Sequence, residues 1–97
     1  MSAIMIRIYI KKGCQDCKSS EDTIAWLSAN FPGIETLLLD IGGDAAALSE
    51  FAMFQLKGTP SLVVFDVKTE EPIKKWEGKI PSAKEILEYF YCRTEEA

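Results

Sequence analysis

The chain has no histidine among its 97 residues. That absence excludes every Cys–His or Ser–His nucleophilic arrangement within the chain, and every zinc site built on imidazole. Cysteine is scarce, at three residues. No apolar run approaches the roughly 18 residues of a membrane-spanning helix, so no membrane partner is expected. Positive charge is also short: 11 Lys and Arg stand against 15 Asp and Glu, a formal net charge of -4. Nucleic-acid binding draws on clustered Lys and Arg, and this balance argues against a nucleic-acid partner. The opening "MSAIMIRIYI" has no basic segment ahead of its apolar residues and carries Arg7. It reads as a strand and not as a secretion signal. With no export signal visible, the cytoplasm is the expected compartment. In that reducing setting a close cysteine pair is more often catalytic or metal-binding than a structural staple.

What is present is the composition of a folded globular protein, 47% hydrophobic and 27% charged. The length suits one compact domain, so residues 1–97 are expected to form a single unit. There is no internal repeat, low-complexity tract or linker. Ile4, Ile6, Ile8 and Ile10 alternate with Arg7 and Tyr9, a period of two that signals a first strand. From Cys14 the spacing turns helical, with Ile24, Leu27 and Phe31 on one face, and Pro32-Gly33 stops the helix. Ile34 to Asp40 reads as a buried parallel strand, and Gly42-Gly43 as the turn after it. Asp44 is a good N-cap for a second helix running to about Leu56. Ser61 to Val67 is expected as a third strand, Lys68 to Glu71 as a hairpin loop, and Pro72 to Trp76 as a fourth strand. Pro72 favours an edge or a strand's first residue. Ser82-Ala83-Lys84-Glu85 has the form of a capping box before a last helix, which turns Ile86, Leu87 and Phe90 inward. The predicted order is βαβαββα, with a parallel crossover first and an antiparallel hairpin later, hence a mixed sheet.

Two of the three cysteines, Cys14 and Cys17, sit where the first strand ends and the first helix begins. Unpaired backbone amides and the macrodipole at a helix N-terminus favour a thiolate, and Lys11, Lys12 and Lys18 add positive charge. Asp16 between the cysteines acts in the opposite sense. The Cys14 pKa is expected below the free-thiol value of roughly 8.5. Residues i and i+3 of a first helical turn share a face, and a non-helical backbone at Cys14 would bring the sulfurs within bonding reach. Such a pair can exchange disulfides, with Cys14 attacking and Cys17 resolving the mixed disulfide. A structural zinc site normally needs four ligands, and only Cys92 remains. An inert pair, or a metal or iron–sulfur cluster shared between two chains, stays open on the spacing alone. Gly58-Thr59-Pro60 is the second feature. A proline at this strand entrance leaves the Thr59 amide and carbonyl free to pair with an extended partner.

Taken together these residues resemble the thioredoxin-like superfamily, over about Ile4 to Cys92. Ile8-Tyr9 ending a strand, Lys11 three residues before the first cysteine, and Gly-Cys-x-x-Cys-Lys look like a glutaredoxin. Asp40, the helix through Leu48 and Phe51, Gly-Thr-Pro ahead of "SLVVFD", and Gly78 look like a thioredoxin. The resemblance implies an α/β thioredoxin fold, a four-stranded mixed sheet flanked by three helices. It implies Cys14 as exposed nucleophile, Cys17 as resolving thiol and a cis Pro60 packed against them. It implies a thiol–disulfide oxidoreductase acting on protein or low-molecular-weight disulfides. No cofactor would be bound, and thioredoxin reductase or glutathione would return the electrons. Lys11 would be placed to bind a glutathione carboxylate. The departures are specific. Gln15-Asp16 replaces the Gly-Pro of thioredoxins and the Pro-Tyr of glutaredoxins. Ile8 stands where thioredoxins carry a buried Asp. Gly42-Gly43-Asp44 precedes the second helix, whereas the glutathione-binding Gly-Gly-x-Asp turn precedes the last one. Two other readings follow from the same residues: a non-catalytic binding module or metal-bridged dimer, and a glutathione-dependent deglutathionylase. Cys92 reads as an incidental thiol near the end of the last helix. Trp26 and Trp76 are expected to fill core or surface grooves, and Phe51, Phe54 and Phe65 to lie in the core.

Overall fold

The structure is a computed structural model that describes residues 4–13 and 19–96, the side chains of 91–96 excepted. The Cys14–Lys18 segment and the Cys92 side chain therefore lie outside the described residues. The elements run β1 (Ile4–Ile10), α1 (Ser19–Asn30), β2 (Glu35–Asp40), α2 (Ala45–Met53), β3 (Ser61–Asp66), β4 (Pro72–Trp76) and α3 (Ala83–Glu96). The four strands form one sheet in the order β2-β1-β3-β4. β1 and β2 are parallel, joined across α1, while β1–β3 and β3–β4 are antiparallel. This is the mixed sheet with three helices that the residue pattern predicts.

Alternation along β1 divides the molecule into layers. Even positions Ile6 and Ile8, with Leu62 and Val64 of β3, turn to one face and pack under Leu27 of α1 and Ile86 of α3. Odd positions turn to the other face, where Tyr9, Val63 and Phe65 meet Ala47 of α2 and Leu56 beyond it. Each such aliphatic side chain removed from water contributes roughly 1.5–3 kcal/mol. Trp26 and Trp76 border the first cluster, and Phe51 and Phe54 the second, as expected of them. Leu87 is half-buried, while Tyr89 and Phe90 are the α3 aromatics packed beside Ile86.

The helix ends follow the chemistry of their caps. Asp44 accepts from the amides of Ala46 and Ala47 at 2.9 and 3.2 Å, and so caps α2. Ser82 Oγ accepts from the Glu85 amide at 3.2 Å ahead of α3. α1 ends as Pro32-Gly33 requires, with the Phe31 amide still donating to the Leu27 carbonyl at 2.7 Å. Two expectations need correction. β2 is an edge strand and not a buried one: Glu35 is exposed and Leu37 is 39% exposed. α2 stops at Met53, three residues short of Leu56, because Gln55 turns left-handed at φ 57°.

Candidate functional site

The loops that could carry chemistry converge at one end of the sheet. β1 runs out at Ile10 into Lys11-Lys12-Gly13, all exposed. The antiparallel register sets Tyr9 opposite Ser61, so the start of β3 lies at that same end. β4 finishes there too, because Trp76 pairs with Leu62. β2 closes the group, the Ile41 amide just past its end donating to the Ile10 carbonyl at 2.9 Å. Open α/β sheets bind ligands beyond the carboxyl ends of their parallel strands, where chain direction switches. β1, with its crossover to β2 on one side and antiparallel β3 on the other, is that place.

Gly13 carries φ +89°, a conformation open to glycine at no steric cost, and it ends the described part of the loop. Next come Cys14, Gln15, Asp16, Cys17 and Lys18, which lie outside the described residues, and then α1 at Ser19. Of the sequence-predicted site residues, Lys11, Lys12, Thr59 and Pro60 are therefore the ones whose surroundings are visible. The Thr59–Pro60 peptide bond is cis. Pro60 is fully buried, Thr59 half-buried. Ser61 Oγ donates to the Gly58 carbonyl at 2.5 Å, which ties the turn to itself. A Cβ on Gly58 would stand 3.6 Å from the Gly78 Cα, so the loop before β3 lies against the loop before α3. Neither backbone group of Thr59 is bonded to a described residue. Lys11 and Lys12 stay in solvent at the same end.

Ile8, six positions before Cys14, is 0% exposed and enclosed by aliphatic side chains. No carboxylate occupies that place. Polarity lies instead on the opposite face of the sheet, in a group the sequence reading did not single out. Arg7 Nη1 donates to Glu50 Oε1 at 2.7 Å, and Tyr9 Oη donates to the same oxygen at 2.8 Å. The guanidinium also lies 5.2 Å from the centroid of the Phe65 ring. Burial, then the bond to Glu50 and its negative charge, hold the Tyr9 phenol well above its ordinary value. Arg7 and Tyr9 could have been paired from their i, i+2 spacing on one strand, but Glu50 is 43 residues away from Arg7. Among the described residues no group of three or more Cys, Asp or Glu is placed to hold a metal. No helix among them is long and apolar enough to cross a membrane.

The chain matches no protein-family model and no curated protein sequence. Its architecture does match solved structures. Thioredoxin 1 of Thermosipho africanus superposes with a TM-score of 0.72 at 21% identity, over 94% of each chain. Thioredoxin-2 of a malaria parasite gives 0.76 at 14% identity, over 93% of this chain and 82% of that one. A thioredoxin f2, solved in complex with ferredoxin:thioredoxin reductase, gives 0.74 at 13% identity, over 96% and 79%. These likenesses, with the strand order and crossover above, establish the thioredoxin fold.

Proposed function

We propose that the chain is a small thiol–disulfide oxidoreductase in which Cys14 is the nucleophile and Cys17 the resolving thiol. The observation that supports this best is the register. It brings the exit of β1, which feeds the cysteine pair, and the Gly58-Thr59-Pro60 entrance to β3 to one end of the sheet. An extended disulfide-bearing substrate would lie along that end, pairing as a short added strand with the Thr59 backbone, which is unbonded among the described residues. Lys11 and Lys12 favour the thiolate there, and Asp16 opposes them.

The Cys14 thiolate attacks one sulfur of the substrate disulfide. The substrate S–S bond breaks, and the departing thiolate takes a proton. Cys17, deprotonated, then attacks the Cys14 sulfur of the mixed disulfide and expels the second substrate thiolate. Two electrons have passed to the substrate, and Cys14–Cys17 is oxidised. A reductase or glutathione returns two electrons and two protons. One structural neighbour was solved bound to ferredoxin:thioredoxin reductase, which supports a reductase as the class of donor. With Ile8 at the place where thioredoxins hold a carboxylate, the Cys17 proton goes to water, to Lys18 or to another group of the chain.

The test is insulin-disulfide reduction by the two single variants. Cys14→Ser abolishes it, and Cys17→Ser accumulates a mixed disulfide visible by mass spectrometry. Equal residual activity in both variants overturns the assignment of roles. The couple's reduction potential gives the direction: a value of about -270 mV marks a reductase and one of about -120 mV an oxidant.

A further inference from the structure

Two grooves flank α3, and one of them completes itself. Between β4 and α3, Lys74 lies 5.2 Å from the centroid of the Trp76 ring, in a groove that also carries Glu85 and Glu88. Cation, indole and carboxylates are all supplied by the chain. The second groove, about 320 Å³, lies between α1 and the start of α3. Its wall on the α3 side is Pro81, Ala83 and Ile86, and its wall on α1 includes Asp22 and Trp26. Here indole and carboxylate are present, and no described residue supplies the cation.

Asp22 and Trp26 are four residues apart on one helix, so they stand side by side on its surface. Trp26 is half-buried and braced edge-on by Phe31, with ring centroids 5.9 Å apart. Asp22 is exposed and takes no ion pair or hydrogen bond among the described residues. A flat aromatic surface, an aliphatic wall and an unpaired carboxylate together suit a side chain with an apolar stem and a cationic head. A guanidinium fits better than an ammonium, because it stacks on indole and forks onto a carboxylate. The net charge of -4 attracts such a group. The groove reaches Ser19, the first described residue after the cysteine pair.

We propose that the Asp22–Trp26 groove binds an arginine side chain of a polypeptide substrate, making Asp22 a specificity-determining residue. The inference rests on the oxidoreductase reading for its purpose, but its binding step does not depend on turnover.

The probe is a capped, cysteine-free Ala-Arg-Ala peptide, compared with the norleucine and glutamate versions. Binding is followed by the indole N–H resonance of Trp26, assigned with one Trp76→Phe sample. Lys18 stands four residues before Asp22, so the titration is repeated in Lys18→Ala, where the chain offers no cation at that spacing. The arginine peptide should bind roughly five- to tenfold more tightly than the norleucine peptide, and Asp22→Asn should reduce that preference to within about twofold. Disulfide-linked versions of the peptides should show the same order in kcat/KM, inverted in favour of glutamate by Asp22→Lys. An unmoved Trp26 resonance in both wild type and Lys18→Ala, or a preference that survives Asp22→Asn, overturns the proposal. Arginine binding without reduction of any peptide would sink the oxidoreductase reading and leave the groove standing. Reduction without charge preference would do the reverse.

Discussion

The two faces of the sheet are built from the same strands by different chemistry. On the face under α1 and α3, β1 and β3 contribute Ile6, Ile8, Leu62 and Val64, all essentially without solvent contact and without a polar atom in their side chains. On the face under α2, the neighbouring positions of the same strands are Arg7, Tyr9, Val63 and Phe65, and Glu50 reaches in from α2 to accept from both Arg7 and Tyr9. α1, which follows the cysteine pair, therefore rests on a surface that offers it no proton donor or acceptor from β1. α2 is fastened by a polar clasp instead. Apolar packing is indifferent to direction, while hydrogen bonds fix register. The difference implies that α1 is held by shape and α2 by pairing, and substitutions can separate those two modes.

The largest effect should come from placing a carboxylate on the dry face. Ile8→Asp sets an acid among aliphatic side chains at a position with 0% exposure. It should lose more than about 4 kcal/mol of the 5–15 kcal/mol typical of a domain. Desolvation raises the folded-state pKa of such an acid above its unfolded value of about 3.9. What stability remains is then fullest below that value and falls as pH rises through the folded pKa. Urea unfolding of variant and wild type at pH 4 and pH 7 checks both the size and the sign, and a loss relative to wild type that is smaller at pH 7 than at pH 4 would contradict the dryness of this face.

The clasp should break at smaller cost. Glu50→Ala removes the acceptor of two hydrogen bonds and leaves the fully buried Tyr9 with an unmatched hydroxyl. Arg7 keeps access to water, its side chain being 23% exposed, so the expected loss is about 2–3 kcal/mol. Replacing all three members, Arg7→Met, Tyr9→Phe and Glu50→Leu, should return stability to within about 1 kcal/mol of wild type. If the triple variant is as unstable as Glu50→Ala, packing and not pairing governs this face as well.

A finer comparison uses two adjacent residues of β3. Val63 and Val64 are equally buried, at 0% and 1% exposure, but point to opposite faces. Val64→Thr hides a hydroxyl where nothing nearby on the strands can bond it, and should cost about 1–3 kcal/mol. Val63 stands directly across from Arg7, whose buried Nε has no acceptor among the described residues. Val63→Thr offers one, so its cost should be smaller by about 1 kcal/mol. Equal losses in paired denaturant titrations would erase the distinction between the faces.

How far the sequence announced this architecture depends on the range of the cause. The β1 alternation, the Pro32-Gly33 stop and the Asp44 and Ser82 caps are local, and each was legible from a few residues. The end of α2 is also local but was disguised. Gln55 and Leu56 close a Schellman motif, donating to Ala52 at 3.0 Å and to Phe51 at 3.1 Å, and Gln55 holds the left-handed position where glycine is the usual signal. β2 read as buried because its Leu37-Leu38-Leu39 run is apolar, and which strand lies at an edge is decided only by the whole sheet. The candidate site divides the same way. Cys14, Cys17 and Gly58-Thr59-Pro60 stood out by residue type, whereas Glu50 with Arg7, and Asp22 and Trp26 with Pro81, depend on distant segments meeting.

The smallest effect concerns the hydroxyl of Tyr9 alone. Tyr9→Phe keeps the ring in its edge contact with Phe51, 6.2 Å between centroids, and leaves Arg7 bonded to Glu50. Near neutral pH the loss should be about 0.5–1 kcal/mol, one hydrogen bond with no charge stranded. Alkaline pH separates the variants further. The folded-state phenol sits above its ordinary value of 10.0, so the folded chain keeps this proton where the unfolded chain releases it. A raised pKa gives stability that is complete below the unfolded value and drains away as pH climbs toward the folded one. Above pH 10 wild type should therefore lose stability more steeply than Tyr9→Phe, and the gap between them should narrow. Other tyrosines and the lysines titrate in both proteins and cancel in the difference. A gap that stays constant from pH 7 to pH 11 would mean that the phenol is no more reluctant to ionise in the fold than out of it, and that the clasp is open to water.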